Sequence, residues 1–558
     1  MSSLGVVASG AAADAIATKV PDLVESQFAS KLFAQDATLW GPDAESESAI
    51  RLSWVNLPRS SRPLLGEIAA LREQLKDEGV DRVVLCGMGG SSLAPEVICG
   101  TAGVDLVVLD SSQPDMVRAA ITDLDRTVVV VSSKSGSTVE TDSQRRAFQA
   151  AFSEAGIDPT ARIVIVTDPG SPLDEESRAG GYRVINADPN VGGRYSALTA
   201  FGLVPSGLAG ADIEALLDDA EAVADVLSAD DDGNPGLRLG AAMAGTDPLR
   251  DKFVIVDDGS GIVGFADWAE QLIAESTGKQ GTGVLPVVVG GDSDPEVRWP
   301  AADVTVARLV GDSDDDVDLD ALGSGPDGQA DGSRSEVAVS GTLGAQLLLW
   351  EVATAAAGRL LDINPFDQPD VESAKKAARA LLDKGIGDSE APAATDGAVE
   401  IRSLGGDWLG DACTVSDALA ALFAQLDPAR GYVSVMAYLD RITDAALADV
   451  RPGLARHTER PTTFGWGPRF LHSTGQFHKG GPATGVYLQI TTAPHEDLAI
   501  PGREFTFGDF IASQAAGDAQ VLAEHQRPVL QLHLADHDAG LAQVTRALTD
   551  LSPTEGDA

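Results

Sequence analysis

Residues 81–92 read DRVVLCGMGGSS, a short apolar run that meets three glycines and two serines. Similar runs follow: VDLVVLD at 104–110, RTVVVVSS at 126–133 and ARIVIVTDP at 161–169. The spacings leave room for a helix between each. Continuous β-branched runs suit parallel strands buried on both faces. Strand and helix patterns that alternate in this way predict a doubly wound α/β domain over 61–225. Residues 1–60 read as a helical segment. Downstream, KFVIVDDG (252–259), VLPVVVGG (284–291), DVTVARLVG (303–311) and a long apolar helix around Trp350 predict a second α/β domain over 226–394. Within it, residues 311–336 are rich in Asp, Gly and Ser and read as a solvated loop. A third region, 395–558, carries YVSVMAYL, GVYLQIT and VLQLHL and is again predicted α/β.

The chain has 558 residues, 85 acidic against 40 basic, for a formal net charge of −45. Such a chain repels phosphate backbones and anionic lipid, so nucleic-acid and membrane-surface partners are not expected. A small anionic ligand remains compatible, because a local site can be positive in an acidic field. Ten of the basic residues are lysine. Scarce lysine beside a large acidic excess fits salt adaptation or a GC-rich genome. The three cysteines, Cys86, Cys99 and Cys413, cannot make a disulfide framework, which suits the reducing cytoplasm. The N-terminus has no basic stretch ahead of its apolar residues, so no signal peptide is expected. The longest apolar stretch, 343–361, is interrupted by Glu351 and Arg359 and reads as a buried helix.

Two loops carry the chemistry. Gly87-Met88-Gly89-Gly90-Ser91-Ser92 directly follows a predicted strand, where glycines let backbone approach an anion and the next helix points its amides at it. It is neither G-x-G-x-x-G nor a Walker A loop, and alone it reads equally as a tight turn. Ser132-Ser133-Lys134-Ser135-Gly136-Ser137-Thr138 also follows a strand, and it precedes a helix that includes Glu140. Hydroxyls and an ammonium so concentrated suit a phosphate, although a capped Ser-rich turn would have the same composition. Two such loops at successive strand ends converge on one anion site at the carboxyl edge of the sheet.

These segments carry a family resemblance. SKSGSTVET (133–141) resembles the phosphate loop of sugar isomerase (SIS) domains, and GMGGSSLAPE (87–96) resembles the GIGGSxLGP loop of phosphoglucose isomerases. Gly192-Gly193-Arg194-Tyr195-Ser196 is similar to the family's GGRYS segment, and Glu275-Ser276-Thr277-Gly278-Lys279 to its ESxGK segment. Asn364-Pro365-Phe366-Asp367-Gln368, then Val371-Glu372 and Lys375, are similar to N-x-FDQ-x-x-VE-x-x-K. Five matches in order across about 85–380 make the resemblance specific. It extends to the form that some bacteria fuse to transaldolase, although no transaldolase half is evident here. The resemblance implies two doubly wound parallel-sheet SIS-type domains plus the C-terminal α/β region. It also implies a cofactor-free aldose–ketose isomerase of glucose 6-phosphate and fructose 6-phosphate, cytoplasmic and possible as a homodimer. Two alternatives stay open: a dual phosphoglucose/phosphomannose isomerase, and a non-catalytic sugar-phosphate sensor.

Moving a carbonyl from C1 to C2 needs one base that removes a proton from one carbon and returns it to the next. Glu275, on the amphipathic stretch WAEQLIAESTGK, is the candidate. Without its flanking motif it would read as a surface carboxylate paired with Lys279 four residues on. The enediolate is anionic, and Arg194 offers a permanent positive charge. By resemblance, Gly90, Ser91, Ser133, Ser135 and Thr138 would hold the phosphate, with Lys134 adding local charge. Gln368 would touch the substrate and Lys375 would assist ring opening.

Ring opening also suits a histidine. All seven histidines lie beyond residue 450. His472-Ser473-Thr474-Gly475-Gln476 resembles the family's H-x-x-x-Q segment, and His478 competes with His472 for the role. In most members that segment precedes FDQ…K and its histidine reaches the site from the partner subunit. Here it follows by about a hundred residues, inside a region long enough to cover its own chain's site or to swap onto a neighbour. His533 and His537 form an H-x3-H that, on a strand-to-turn reading, does not share a face, so no metal site is expected.

Overall fold

A computed structural model of the chain describes residues 4–311, 334–384 and 391–551. It opens with a strand, β1 (Gly5–Ser9), where the sequence reads as helical. The next five strands are β2 (Arg82–Gly87), β3 (Val107–Leu109), β4 (Thr127–Ser132), β5 (Ile163–Thr167) and β6 (Arg183–Asn186). They form a wholly parallel sheet in the order β3-β2-β4-β5-β6. Val83, Leu85, Val128 and Val130 enter one core, while Val84, Cys86, Val129 and Val131 enter another. Unbroken apolar runs are therefore required, because a parallel strand has no solvent face to fill with polar side chains. Chain order reverses between β2 and β4, the place where α/β sheets open a ligand crevice beyond their carboxyl ends.

The second sheet holds β7 (Lys252–Asp258), β8 (Leu285–Val288), β9 (Val304–Val310) and β10 (Ser335–Ser340), in the order β10-β9-β7-β8. These strands are parallel, and β1 adds antiparallel to the outer edge of β10. The turn from β1 into the following helix depends on Gly10, at φ +57°, where a Cβ would stand 1.8 Å from the Arg334 carbonyl oxygen. Five residues before an Ala-rich helix give little strand pattern, which is why β1 is invisible from sequence. Of the acidic run 311–336, residues 312–333 lie outside the described residues. Its end is not loop: Ser335 and Glu336 begin β10. They are accommodated because Ser335 bonds the Thr305 hydroxyl (3.0 Å) and Glu336 pairs with Arg334 (2.8 Å). The apolar stretch 343–361 is the buried helix Leu343–Leu360, with Trp350 against Phe253 and Phe265. No helix among the described residues is long and apolar enough to cross a membrane.

The third sheet contains β11 (Ala394–Asp396), β12 (Val399–Leu404), β13 (Tyr432–Tyr438), β14 (Thr462–Trp466), β15 (Gly485–Thr492) and β16 (Val529–Leu534). Its order is β11-β12-β16-β15-β13-β14, parallel from β16 to β14 and antiparallel at β11 and β12. The architecture is α/β with parallel-dominated sheets. The third sheet packs directly on the second: Tyr432, Met436, Tyr438 and Tyr487 share a core with Val254, Val256, Leu285 and Val287. Ion pairs ring this core. Arg451 reaches Asp294 (2.5 Å) and Glu296 (2.6 Å), and Arg460 reaches Asp303 (2.5 Å), all buried. Replacing Arg451 with Met would leave two buried carboxylates uncompensated. We expect Arg451→Met to lose about 3–5 kcal/mol of unfolding free energy. An unchanged urea midpoint would show that these pairs do not seat the third sheet.

Candidate active site

At the sheet's switch point, β2 runs into the turn Gly89–Ser91 and the helix Leu93–Ala102. β4 runs into the Ser-rich loop and the helix Val139–Glu154. In that loop the Ser133 hydroxyl accepts from the Gly136 amide (3.1 Å) and lies 3.4 Å from the Thr138 hydroxyl. Ser135 and Ser137 share a hydrogen bond of 2.7 Å at an exposed edge. Lys134 is paired with Asp168 (2.6 Å), so its charge is already compensated.

Arg194 follows in the turn Gly193–Tyr195, which packs on the Gly89–Ser91 turn. Ser196 ties the two, its hydroxyl donating to the Gly90 carbonyl (3.2 Å). A Cβ on Gly90 would stand 1.9 Å from the Gly193 oxygen. The Arg194 guanidinium is buried. Its Nε lies 3.2 Å from Glu275 Oε2, and its Nη groups donate to the Pro365 and Asp367 carbonyls and to Gln368 Oε1 (2.8 Å). Glu275 sits in the last turn of the helix Phe265–Thr277 and is 5% exposed. Burial pushes its carboxyl above the usual carboxylate range, while Arg194 and His472 pull the other way. Lys279 pairs not with Glu275 but with Asp367 (2.7 Å).

His472 of the same chain comes to this place. It ends the turn Arg469–His472, and its Cβ packs against Gly89. Its Nε2 lies 3.1 Å from Glu140 Oε1. Burial alone would raise Glu140, but the hydrogen bond and charge of His472 hold it below its ordinary value. Gln514 also donates to Glu140 Oε1 (2.7 Å) and accepts from Ser112 (2.5 Å). Gln476 accepts from the Asp370 and Val371 amides (3.1 and 3.2 Å) and donates to the Gly278 carbonyl (2.9 Å). His478, by contrast, is buried between Tyr432 and Ser434, its pKa pushed well down by burial. His533 lies on β16 and bonds Thr491, whereas His537 opens a helix and meets Asp444. Among the described residues no group of three or more His, Cys, Asp or Glu is placed to hold a metal ion.

A cavity of about 290 Å³ opens beside His472, walled by Thr138, Glu140, Lys375, Lys479 and Gln514. Of the residues singled out from sequence, Thr138, Lys375 and His472 line it. Glu275 and Arg194 lie behind His472, close enough for His472 and Lys375 to bear on the Glu275 carboxyl. Ser91, Ser133, Lys134, Ser135 and Gln368 are not in its wall. Glu140, Gln514 and Lys479 were not assigned a role from sequence. Glu140 had a visible signal, an acidic residue in the first turn after the hydroxyl loop, whereas Gln514 and Lys479 had none. A paired histidine, Lys375 and the end of the hydroxyl loop line the cavity, with a carboxylate base and a fixed cation buried behind it, a set that can move protons on a small anionic substrate.

Because the Gly90 and Gly193 turns touch through backbone, the Cβ of Gly90→Ala forces the two turns apart and disturbs the setting of Arg194 beside Glu275. We expect kcat/KM to fall about a hundredfold, the usual cost of an ångström of misplacement at a catalytic group. Unimpaired kinetics in that variant would mean the close approach is not needed.

No family model matches the chain. A probable glucose-6-phosphate isomerase from Natronomonas pharaonis is 32% identical over 357 residues, 58% of this chain and 83% of that protein. One from Haloarcula marismortui is 30% identical over 340 residues, 54% of this chain and 78% of that protein. A solved hypothetical protein from Thermus thermophilus matches 68% of this chain and 100% of its own, with TM-score 0.56 and 25% identity. The likeness to the Natronomonas pharaonis protein runs through most of that protein's length, and the motif segments here fold to one place: the chain belongs to the glucose-6-phosphate isomerase family.

Proposed function

We propose that this chain interconverts glucose 6-phosphate and fructose 6-phosphate by proton transfer through an enediolate. The observation that carries the reading is the buried Glu275–Arg194 pair behind a cavity that His472 and Lys375 line. The substrate phosphate rests on the loops at the ends of β2 and β4, held by Gly90, Ser91, Ser133, Ser135 and Thr138. His472 and Lys375 exchange the proton at the ring oxygen and hydroxyl. The ionised Glu140 takes the His472 Nε2–H, leaving Nδ1 for that exchange. Glu275 then carries the proton between C2 and C1, and its raised pKa brings it nearer the operating pH of a general base. Arg194 stabilises the enediolate oxygens, with Gln368 fixed beside it at 2.8 Å. One proton moves between C2 and C1 and a second passes from the C2 oxygen to the C1 oxygen, with no net electron transfer, so the isomerisation calls for no redox cofactor. The free cysteines, Cys86 and Cys99 buried, fit a reducing cytoplasm.

Glu275→Gln is expected to keep substrate KM while kcat falls at least about a thousandfold, as for loss of an essential proton carrier. In the unmodified enzyme, activity should drop on the acid side as Glu275 is protonated, with the midpoint above the ordinary carboxylate range. A coupled assay offering fructose 6-phosphate and mannose 6-phosphate separately should show turnover of the former. Near-normal kcat in the variant would remove Glu275 from the mechanism.

His472 meets Glu140 of its own chain, and we infer that it completes that chain's own site. Mixing Glu275→Gln chains with His472→Ala chains under proven subunit exchange should therefore restore no activity. Recovery toward a quarter of wild-type turnover would show that the histidine crosses between subunits.

A further inference from the structure

We propose that Arg469, together with Arg441, is a positioning residue that delivers His472 to its own chain's site. The proposal rests on the isomerase reading above. Arg469 starts the 3-10 turn that His472 ends, and residues three apart in such a turn lie on one face. Arg469 Nη2 meets Glu96 Oε2 at 2.5 Å, and its Nη1 bonds Asp110 Oδ2. Arg441 takes the other oxygens, Glu96 Oε1 at 3.2 Å and Asp110 Oδ1 at 3.3 Å. Each carboxylate thus lies between two guanidinium groups, hydrogen-bonded to Arg469 and within ion-pair distance of Arg441, with Asp110 wholly buried and both arginines mostly so.

The two carboxylates stand on the scaffold of the glycine loop. Glu96 is on the helix Leu93–Ala102 that follows it, and Asp110 follows β3 directly. The far side of the turn is held as well: the Ser473 hydroxyl donates to Glu270 Oε1 (2.8 Å), on the helix that carries Glu275. His472 is therefore pinned between the phosphate-loop scaffold and the base-bearing helix. A guanidinium bridging two carboxylates fixes orientation as well as charge, and a lysine ammonium supplies the charge without the fork. Arg469 is not in the cavity wall, so its influence runs through His472.

The experiment compares Arg469→Lys, His472→Ala and the double variant on two substrates. One is fructose 6-phosphate. The other is erythrose 4-phosphate, too short to close into a ring, followed by deuterium exchange at C2. Arg469→Lys should slow fructose 6-phosphate turnover about ten- to a hundredfold, the scale of a misplaced catalytic group, and change exchange less than about threefold. In the His472→Ala background, Arg469→Lys should cost less than about twofold more on fructose 6-phosphate. Equal losses on both substrates, or a multiplied loss in the double variant, would overturn the proposal. If Arg469→Lys fails to fold, Asp110→Asn applies the same test with the shape kept. The clamp is also readable without turnover: in 15N-histidine spectra the signal absent from His472→Asn should shift in Arg469→Lys while the others stay. A stationary His472 signal overturns the clamp, whereas a wild-type enzyme inert on fructose 6-phosphate would instead overturn the isomerase reading.

Discussion

The buried guanidinium of Arg194 is the group on which the site's geometry depends. A permanent charge removed from water must be met by fixed partners, and here they come from far apart in the chain: Glu275, the Pro365 and Asp367 carbonyls, and Gln368. Lys279, also buried, donates to the Asn364 and Asp367 carbonyls and to the Asp367 carboxylate. Two cations therefore share the turn 364–368, and neither can move without freeing the other's acceptor. Burial, reinforced by the Arg194 charge, pulls Lys279 down to about 8.

An acidic chain must gather its few cations to hold an anion. Of ten lysines, Lys375, Lys376 and Lys479 line the cavity, Lys279 lies behind it and Lys134 sits in the hydroxyl loop. Half of the lysines in a chain of net charge −45 thus stand at one place. Three of the five are already ion-paired, Lys134 with Asp168, Lys279 with Asp367 and Lys479 with Asp518, so the local positive charge is smaller than the count of lysines.

Strands β6, β10, β11, β12 and β14 drew no strand reading from sequence, whereas β2 to β5, β7 to β9, β13, β15 and β16 were legible because their runs are largely apolar, a constraint written into consecutive residues. β1 was not, since its five residues earn their strand state by pairing with β10, more than 300 residues away. The site was legible where a motif holds itself together locally, as in the 87–92 and 132–138 loops. It was illegible where one residue meets another from a different sheet. Gln514 against Glu140, and Arg469 against Asp110, are contacts across more than 350 positions that no local pattern records.

The displaced histidine segment shows why chain order matters so little. Gln476, four residues after His472, accepts from the Asp370 and Val371 amides, donors that the first turn of the helix Pro369–Lys384 leaves without intrahelical partners. It also donates to the Gly278 carbonyl beside the Glu275 helix. The segment thus carries its own docking groups for both of the segments it must meet. Its place is set by complementary donors and acceptors, while the loop joining it to the rest of the chain adds an entropy cost that grows only with the logarithm of its length. A connection a hundred residues long is then nearly as acceptable as a short one, provided the third sheet brings the segment within reach. The core shared by Tyr432 and Phe477 with Val254 and Val287 does that.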